Sequence, residues 1–103
     1  MRCLVQVQIP VEVGNAGLLD GSLLPKIQRY LSDVKPEAVY FSPASGQRTI
    51  YIFLNIDSSD KLVDIAEPLW LDLQADVDVI PVMNADDFEK AAAGIQRVVQ
   101  ARK

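Results

Sequence analysis

The chain has 103 residues, a formal net charge of −4, a single cysteine and no histidine. This length predicts one domain over residues 1–103, and the acidic balance with scattered Lys and Arg excludes the basic stripe that binds nucleic acid. Without histidine the chain lacks the commonest general base at neutral pH and the usual ligands of a zinc site, so we expect no metal.

The first predicted element is a strand, Arg2–Ile9, in which two sets of side chains alternate with period two. The glycines within residues 14–21 then predict a flexible loop. A helical stretch follows near residues 18–34, with apolar residues at helical spacing and Ser22 placed to cap its start.

Two further strands are predicted over residues 38–42 and 48–57. Between them, Pro43 and Gly46 have the backbone preferences of a short hairpin turn. A second helical stretch comes next, and Pro68 in its middle is expected to kink it or end it early.

A fourth strand is predicted over residues 76–82. Asn84, with Asp87 three residues later, predicts a capping box at the start of a last helix within residues 84–103. That helix has an apolar stripe: Phe88, Ala91, Ala92, Ile95, Val98 and Val99. The order is β-α-β-β-α-β plus a C-terminal helix, which predicts an α+β ferredoxin-like sandwich with a four-stranded antiparallel sheet.

The alternation along the strands divides the predicted sheet into a core face and a second face. The core face is purely apolar: Cys3, Val5, Val7, Ile9, Val39, Phe41, Ile50, Ile52, Leu54, Val77 and Val79. The second face mixes apolar, aromatic and amide side chains: Leu4, Gln6, Gln8, Tyr40, Tyr51, Phe53, Asn55, Ile80 and Val82. Helices packed on one side of a sheet require the apolar face, so we expect them on the core face.

The second face is too apolar for a surface in water, and we expect a second copy of the chain to bury it. The expected interface residues of this homodimer are Gln6, Gln8, Tyr40, Tyr51 and Phe53. The alternative is that the last helix folds over the second face within one monomer.

Two segments carry a resemblance to a known superfamily. They are VYFSPASGQRTIY at residues 39–51, and EPLW at 67–70 followed by VDVIPVM at 77–83. With the element order, they resemble the dimeric α+β barrel proteins, small bacterial ferredoxin-like domains whose two sheets pack face to face. The resemblance covers most of residues 1–83 and is one of topology more than of motif. It implies a homodimer with a cleft between helices and sheet, but no reaction, because the group includes oxygenases, isomerases, haem enzymes and amino-acid-sensing regulators.

The sequence identifies no catalytic residues, and we expect no cofactor. Three side chains are candidates for binding a small molecule in the cleft. Tyr30 ends the apolar stripe of the first helix, Trp70 follows Pro68 at the end of the cleft, and Arg48 is suited to an anionic ligand. The alternatives are core packing for the tryptophan and a solvated charge for the arginine.

Cysteine usage and hydropathy indicate where the protein works. One cysteine, Cys3, allows no intrachain disulfide, which favours a reducing compartment, and its place on the apolar face predicts an inert core residue. No stretch approaches the ~20 apolar residues of a membrane span, and the N-terminus lacks the apolar run of a signal peptide. We therefore expect a cytoplasmic protein with no membrane partner.

Three functions stay open. The first is a homodimeric binding or interaction module without catalysis. The second, suggested by the resemblance, is a cofactor-independent oxygenase or isomerase acting on a small aromatic or polyketide-like molecule, with its chemistry on Tyr30, Tyr51, Trp70, Asn55 or Arg48. The third is a sensor domain that binds a small metabolite.

Overall fold

A computed structural model describes all 103 residues, Met1–Lys103. The strands are β1 (Arg2–Ile9), β2 (Ala38–Ala44), β3 (Gln47–Asn55) and β4 (Asp76–Pro81). The α-helices are α1 (Val11–Leu19), α2 (Leu23–Val34), α3 (Leu62–Leu73) and α4 (Ala85–Gln100), and one 3-10 turn, Ser59–Lys61, leads into α3.

The four strands form one open antiparallel sheet in the order β2-β3-β1-β4. The first strand of the chain therefore lies inside the sheet, where Val5 is paired with Ile52 on β3 and with Val79 on β4. The prediction of a mixed α+β chain with a four-stranded antiparallel sheet is confirmed.

The hairpin between β2 and β3 is tighter than the sequence indicated. Its two turn residues are Ser45 and Gly46, both with positive φ (53° and 74°), as a two-residue hairpin turn requires. Pro43 is not in the turn but within β2, paired with Arg48. An edge strand tolerates this proline because one side of it has no hydrogen-bonding neighbour.

The hydrophobic core lies between the core face and the helices. Of the core-face residues, seven are buried: Cys3, Val5, Val7, Ile9, Ile50, Ile52 and Leu54. The helices add Leu23, Tyr30, Ile65, Leu69 and Leu73 to the same cluster. Phe41 is the exception, with 62% of its surface exposed, because it lies on the edge strand β2. The prediction that Cys3 is a buried core residue is confirmed.

The predicted loop over residues 14–21 is wrong, because most of it forms α1. A Cβ atom on Gly14 would lie 2.5 Å from the Arg48 guanidinium, and one on Gly17 would lie 2.9 Å from the Leu23 Cβ. These two glycines therefore allow α1 to pack closely and do not mark a loop. Only Gly21, with φ of 81°, has the backbone of a turn glycine.

Two local predictions about the helices are also wrong. Ser22 makes no side-chain capping bond, because its own backbone is already helical (φ −87°, ψ −25°). Pro68 is predicted to kink α3 or end it early, and the early end is wrong, because α3 continues to Leu73; the kink stays a prediction. Leu69 and Leu73 lie beyond the proline and are almost fully buried, so their packing stabilises the rest of the helix in spite of the missing N–H.

The capping box of α4 is confirmed. The Asn84 side chain accepts a hydrogen bond from the Asp87 N–H (2.8 Å), and the Asp87 carboxylate accepts one from the Asn84 N–H (3.1 Å). No residue of α4 is buried, and its apolar stripe is exposed. The helix therefore does not cover the second face of its own sheet.

The exposed α4 makes the molecule elongated. Its extents are 61 × 27 × 20 Å and its radius of gyration is 17.1 Å, against about 13 Å for a compact chain of this length. The strands and the first three helices form the body, and α4 extends from it.

Two glycine substitutions should have opposite effects on stability. Gly17→Ala should destabilise the fold by about 1–2 kcal/mol, because the new methyl group overlaps the Leu23 Cβ, which cannot move without its helix. Gly94→Ala is the control, because its methyl group meets only the mobile end of Arg97 at 3.4 Å and alanine favours helix. Thermal unfolding followed by circular dichroism measures both; a Gly17→Ala variant as stable as the native chain would contradict the close packing of α1.

Candidate functional site

The second face is not covered by any helix, and its side chains form three rows across the sheet. The strand register defines them as Ala38-Phe53-Leu4-Ile80, Tyr40-Tyr51-Gln6-Asp78 and Ser42-Thr49-Gln8-Asp76. All five residues predicted for the interface lie in these rows. Their place in a dimer stays a prediction.

The β2–β3 side of the second face is aromatic. The rings of Tyr40 and Phe53 meet edge to face, with centroids 6.3 Å apart and planes at 82°, and Tyr51 is paired with Tyr40 in the next row. Tyr40 is 62% exposed, whereas Tyr51 and Phe53 are half-buried by their neighbours in the sheet. Aromatic groups of this kind carry much of the binding energy of protein interfaces.

The polar groups of the second face differ in their partners. Gln8 donates a long hydrogen bond to the Ala44 carbonyl (3.5 Å), and the buried Thr49 hydroxyl donates to the Gln47 carbonyl (3.1 Å). No buried polar side-chain atom lacks a partner. Gln6 and Tyr51, in the middle row, are half-buried, and their polar ends are available for a second molecule.

One end of the second face is organised by Arg2. Its guanidinium forms a two-pronged pair with the Glu37 carboxylate (2.9 and 3.2 Å) and donates to the Asp87 carboxylate (2.7 Å). The first turn of α4 is therefore attached to the start of β1. No sequence pattern indicates this contact, because Glu37 and Asp87 lie 35 and 85 residues from Arg2 in the chain.

The same contacts change the ionisation of Asp87. The backbone hydrogen bond from Asn84, and secondly the nearby Arg2 charge, hold the pKa of the Asp87 carboxyl below its usual value. The Glu37 carboxylate in turn raises the pKa of Arg2. Both groups are thus charged at neutral pH, and the start of α4 is an ion-paired junction.

The opposite end of the second face is acidic. Asp76 and Asp78 lie on β4, in the rows of Gln8 and Gln6, and both are exposed. Neither forms an ion pair within the chain. The β4 side of the second face therefore has one carboxylate in the middle row and one at the end opposite the Arg2 junction.

Tyr30 has a structural partner. Its hydroxyl lies between α2 and α3 and donates a hydrogen bond of 2.6 Å to the Ile65 carbonyl. Burial raises the pKa of Tyr30 above its usual value, so the hydroxyl stays protonated at neutral pH. The neighbouring cavity is small, ≈ 80 Å³, and is lined mainly by charged residues of the two helices.

Arg48 packs beneath α1. Its guanidinium donates to the Asn15 side chain (3.0 Å) and lies against Gly14. It also lines an open depression of ≈ 310 Å³ beside the hairpin, with Phe41 and Pro43.

Trp70, on α3, is 46% exposed and lines no cavity. The structure thus places Tyr30, Arg48 and Trp70 in three different surroundings. It does not gather them in one cleft, and their role in ligand binding stays a prediction.

The chain matches no known protein-family model and no curated protein. No group of three or more cysteine, aspartate or glutamate side chains is close enough to hold a metal ion. None of the helices is both long enough and apolar enough to cross a membrane.

Two hydroxyl substitutions separate a structural hydroxyl from a free one. Tyr30→Phe should lower the stability by about 1 kcal/mol, because it removes a buried hydrogen bond between two helices. Ser32→Ala, at an exposed position of α2 and outside the second face, should change it by less than about 0.5 kcal/mol. Urea unfolding at neutral pH measures both, and equal stabilities for the two variants would contradict the structural role of Tyr30.

The pKa of Asp87 should respond to its two partners unequally. In Arg2→Gln the pKa should rise only part of the way to its usual value, because the Asn84 N–H, the larger cause, remains. Arg97→Gln, which removes an arginine that is not paired with Asp87, is the control. Carboxyl carbon NMR measures the titration.

The sign of the pH effect follows from this lowered pKa. The stabilising contribution of Asp87 to the α4 junction is complete above about pH 5 and is lost as the pH falls through the lowered pKa. A full return of the pKa to its usual value in Arg2→Gln would show that the backbone bond has no effect.

Proposed function

We propose that the protein is a homodimeric interaction module whose subunits associate through the second face. The strand order β2-β3-β1-β4, with helices packed on the core face, supports a ferredoxin-like subunit. Two such subunits with their second faces together make a dimeric α+β barrel.

The observation that carries this proposal is the one-sided covering of the sheet. The core face is buried by α2 and α3, which contribute Leu23, Leu69 and Leu73 to the core. The rows of the second face have no covering layer, although they include Leu4, Phe53 and Ile80. Packing a second sheet on them, about 10 Å away, would remove this apolar surface from water.

The composition of the second face suits a two-fold contact. In a two-fold interface the same patch serves both subunits, so each of its polar groups must find a partner in the same patch. Amide groups of Gln6 and Gln8 both donate and accept, and tyrosine hydroxyls do the same. The amides and tyrosine hydroxyls of the second face can therefore pair with their own copy.

No observation favours catalysis. The five side chains considered for an oxygenase or isomerase lie apart. Tyr51 and Asn55 are on the second face, Tyr30 is between α2 and α3, Trp70 is exposed on α3, and Arg48 is under α1. A reaction needs its groups around one substrate.

Charged substitutions on the second face should dissociate the dimer. Tyr51→Lys together with Phe53→Lys places unpaired charges in the interface of both subunits. This should cost at least about 3 kcal/mol and raise the dimer Kd by more than about 100-fold. Native mass spectrometry and light scattering at a range of protein concentrations measure the dimer, and the mass also reveals any small molecule that is bound.

The matched control adds two lysines to α3, outside the second face. Val63→Lys with Leu71→Lys replaces two large apolar residues of α3 that are exposed in the subunit, and it should leave the dimer Kd unchanged. A native chain that is monomeric at all concentrations would contradict the proposal. So would a dimer that is lost in the α3 variant and kept in the second-face variant.

A further inference from the structure

The helix α4 needs a surface that the subunit does not provide. Its stripe is exposed along its length, with 55% of Phe88, 47% of Ile95 and 53% of Val98 accessible. An isolated helix of this length is only marginally stable in water, and packing of its apolar side normally stabilises it. The capping box and the Arg2 junction secure only its first turn.

The exposed area of the chain is large enough for a stable interface. A compact protein of 11.4 kDa exposes about 5,800 Å², whereas this chain exposes 6991 Å². The excess of roughly 1,200 Å² is more than the ~800 Å² that each partner buries in a standard interface. A second copy of the chain is an occupant that covers α4 and the second face together.

We infer that α4 crosses to the second subunit of the dimer and packs along the β1–β4 side of its second face. This rests on the proposed function, in which the aromatic β2–β3 side contacts the other sheet. The β1–β4 side offers Leu4 and Ile80 as neighbours in one row, where they form an apolar surface for the stripe.

The helix and the strand agree in length. From Phe88 to Gln100, where it ends, the helix rises by about 18 Å. From Arg2 to Gln8, β1 rises by about 20 Å. A helix that starts at the Arg2 end of the partner's β1 therefore reaches the row of Asp76.

The charges agree in the same direction. The first turns of α4 are acidic, with Asp86, Asp87 and Glu89, and its end is basic, with Arg97, Arg102 and Lys103. The β1–β4 side has Arg2 at one end, the unpaired carboxylate Asp78 in the middle row and the unpaired carboxylate Asp76 at the other end. In this orientation the basic end of α4 lies against the carboxylates, whereas in the reverse orientation like charges meet.

A disulfide between two different proteins tests the crossing directly. One protein contains Gln6→Cys in the middle row, and the other contains Val98→Cys in the stripe. Each has one reactive cysteine, because Cys3 is fully buried. When the two proteins are mixed and mildly oxidised, they should form a disulfide-linked heterodimer. In the inferred complex, Val98 of one subunit and Gln6 of the other lie at the same distance from the Arg2 end of the strand.

The control is Ala93→Cys, on the opposite side of α4, mixed with the same Gln6→Cys protein. It should form the heterodimer at least about ten times more slowly, because its Cβ points away from the sheet and a disulfide needs Cα atoms closer than about 7 Å. If the Gln6→Cys protein does not fold, Asp78→Cys replaces it, because Asp78 is exposed and lies in the row of Gln6.

The other outcomes separate the inference from the proposed function. Equal rates for Val98→Cys and Ala93→Cys, in proteins that native mass spectrometry shows to be dimers, would overturn the crossing of α4 and leave the second-face dimer in place. In a chain with both Gln6→Cys and Val98→Cys, rapid closure within one monomer would show that α4 folds back on its own sheet. Monomers throughout would overturn the proposed function and the inference together.

Discussion

The alternation of side chains along β1 is the constraint on which the rest of the molecule depends. Because β1 lies between β3 and β4 with Val5 and Val7 in the core, a neighbouring strand cannot shift by one residue without turning its own core residues, such as Ile52 of β3, away from the core. This fixes the register of the whole sheet and the side on which the helices pack. It also determines that Leu4 and Gln6 share the uncovered side with the aromatic residues of β3.

The uncovered face and the extended helix are two consequences of the same arrangement. A four-stranded sheet with helices on one side can bury only one set of alternating residues, and in this chain 17 of 103 residues are buried although half are hydrophobic. Part of the remaining apolar surface lies on the second face and along α4, which join at the contact between Arg2 and Asp87. The junction that attaches α4 to the body is thus adjacent to the uncovered second face.

The features that the sequence predicted correctly are those set by neighbours in the chain. The strands follow from period two, and the capping box of Asn84 from the spacing of two side chains. The features it did not predict depend on distant contacts. Gly14 and Gly17 have the composition of a loop, but they are needed where α1 meets Arg48 and Leu23. Tyr30 is a ligand-binding candidate by its sequence position, but its hydroxyl donates a hydrogen bond to a carbonyl 35 residues away.

In the proposed dimer, the polar residues of the second face bear on the specificity of assembly more than on its strength. A purely apolar face would bind another copy in many registers, because hydrophobic contact has no preferred direction. Gln6 and Tyr51 would lose their hydration in such an interface, and this cost is offset only in a register where each finds a hydrogen-bond partner. Polar groups at a few interface positions select one register in this way in other assemblies. The mixed composition that makes the second face a poor core would thus make it a selective contact in the proposed dimer.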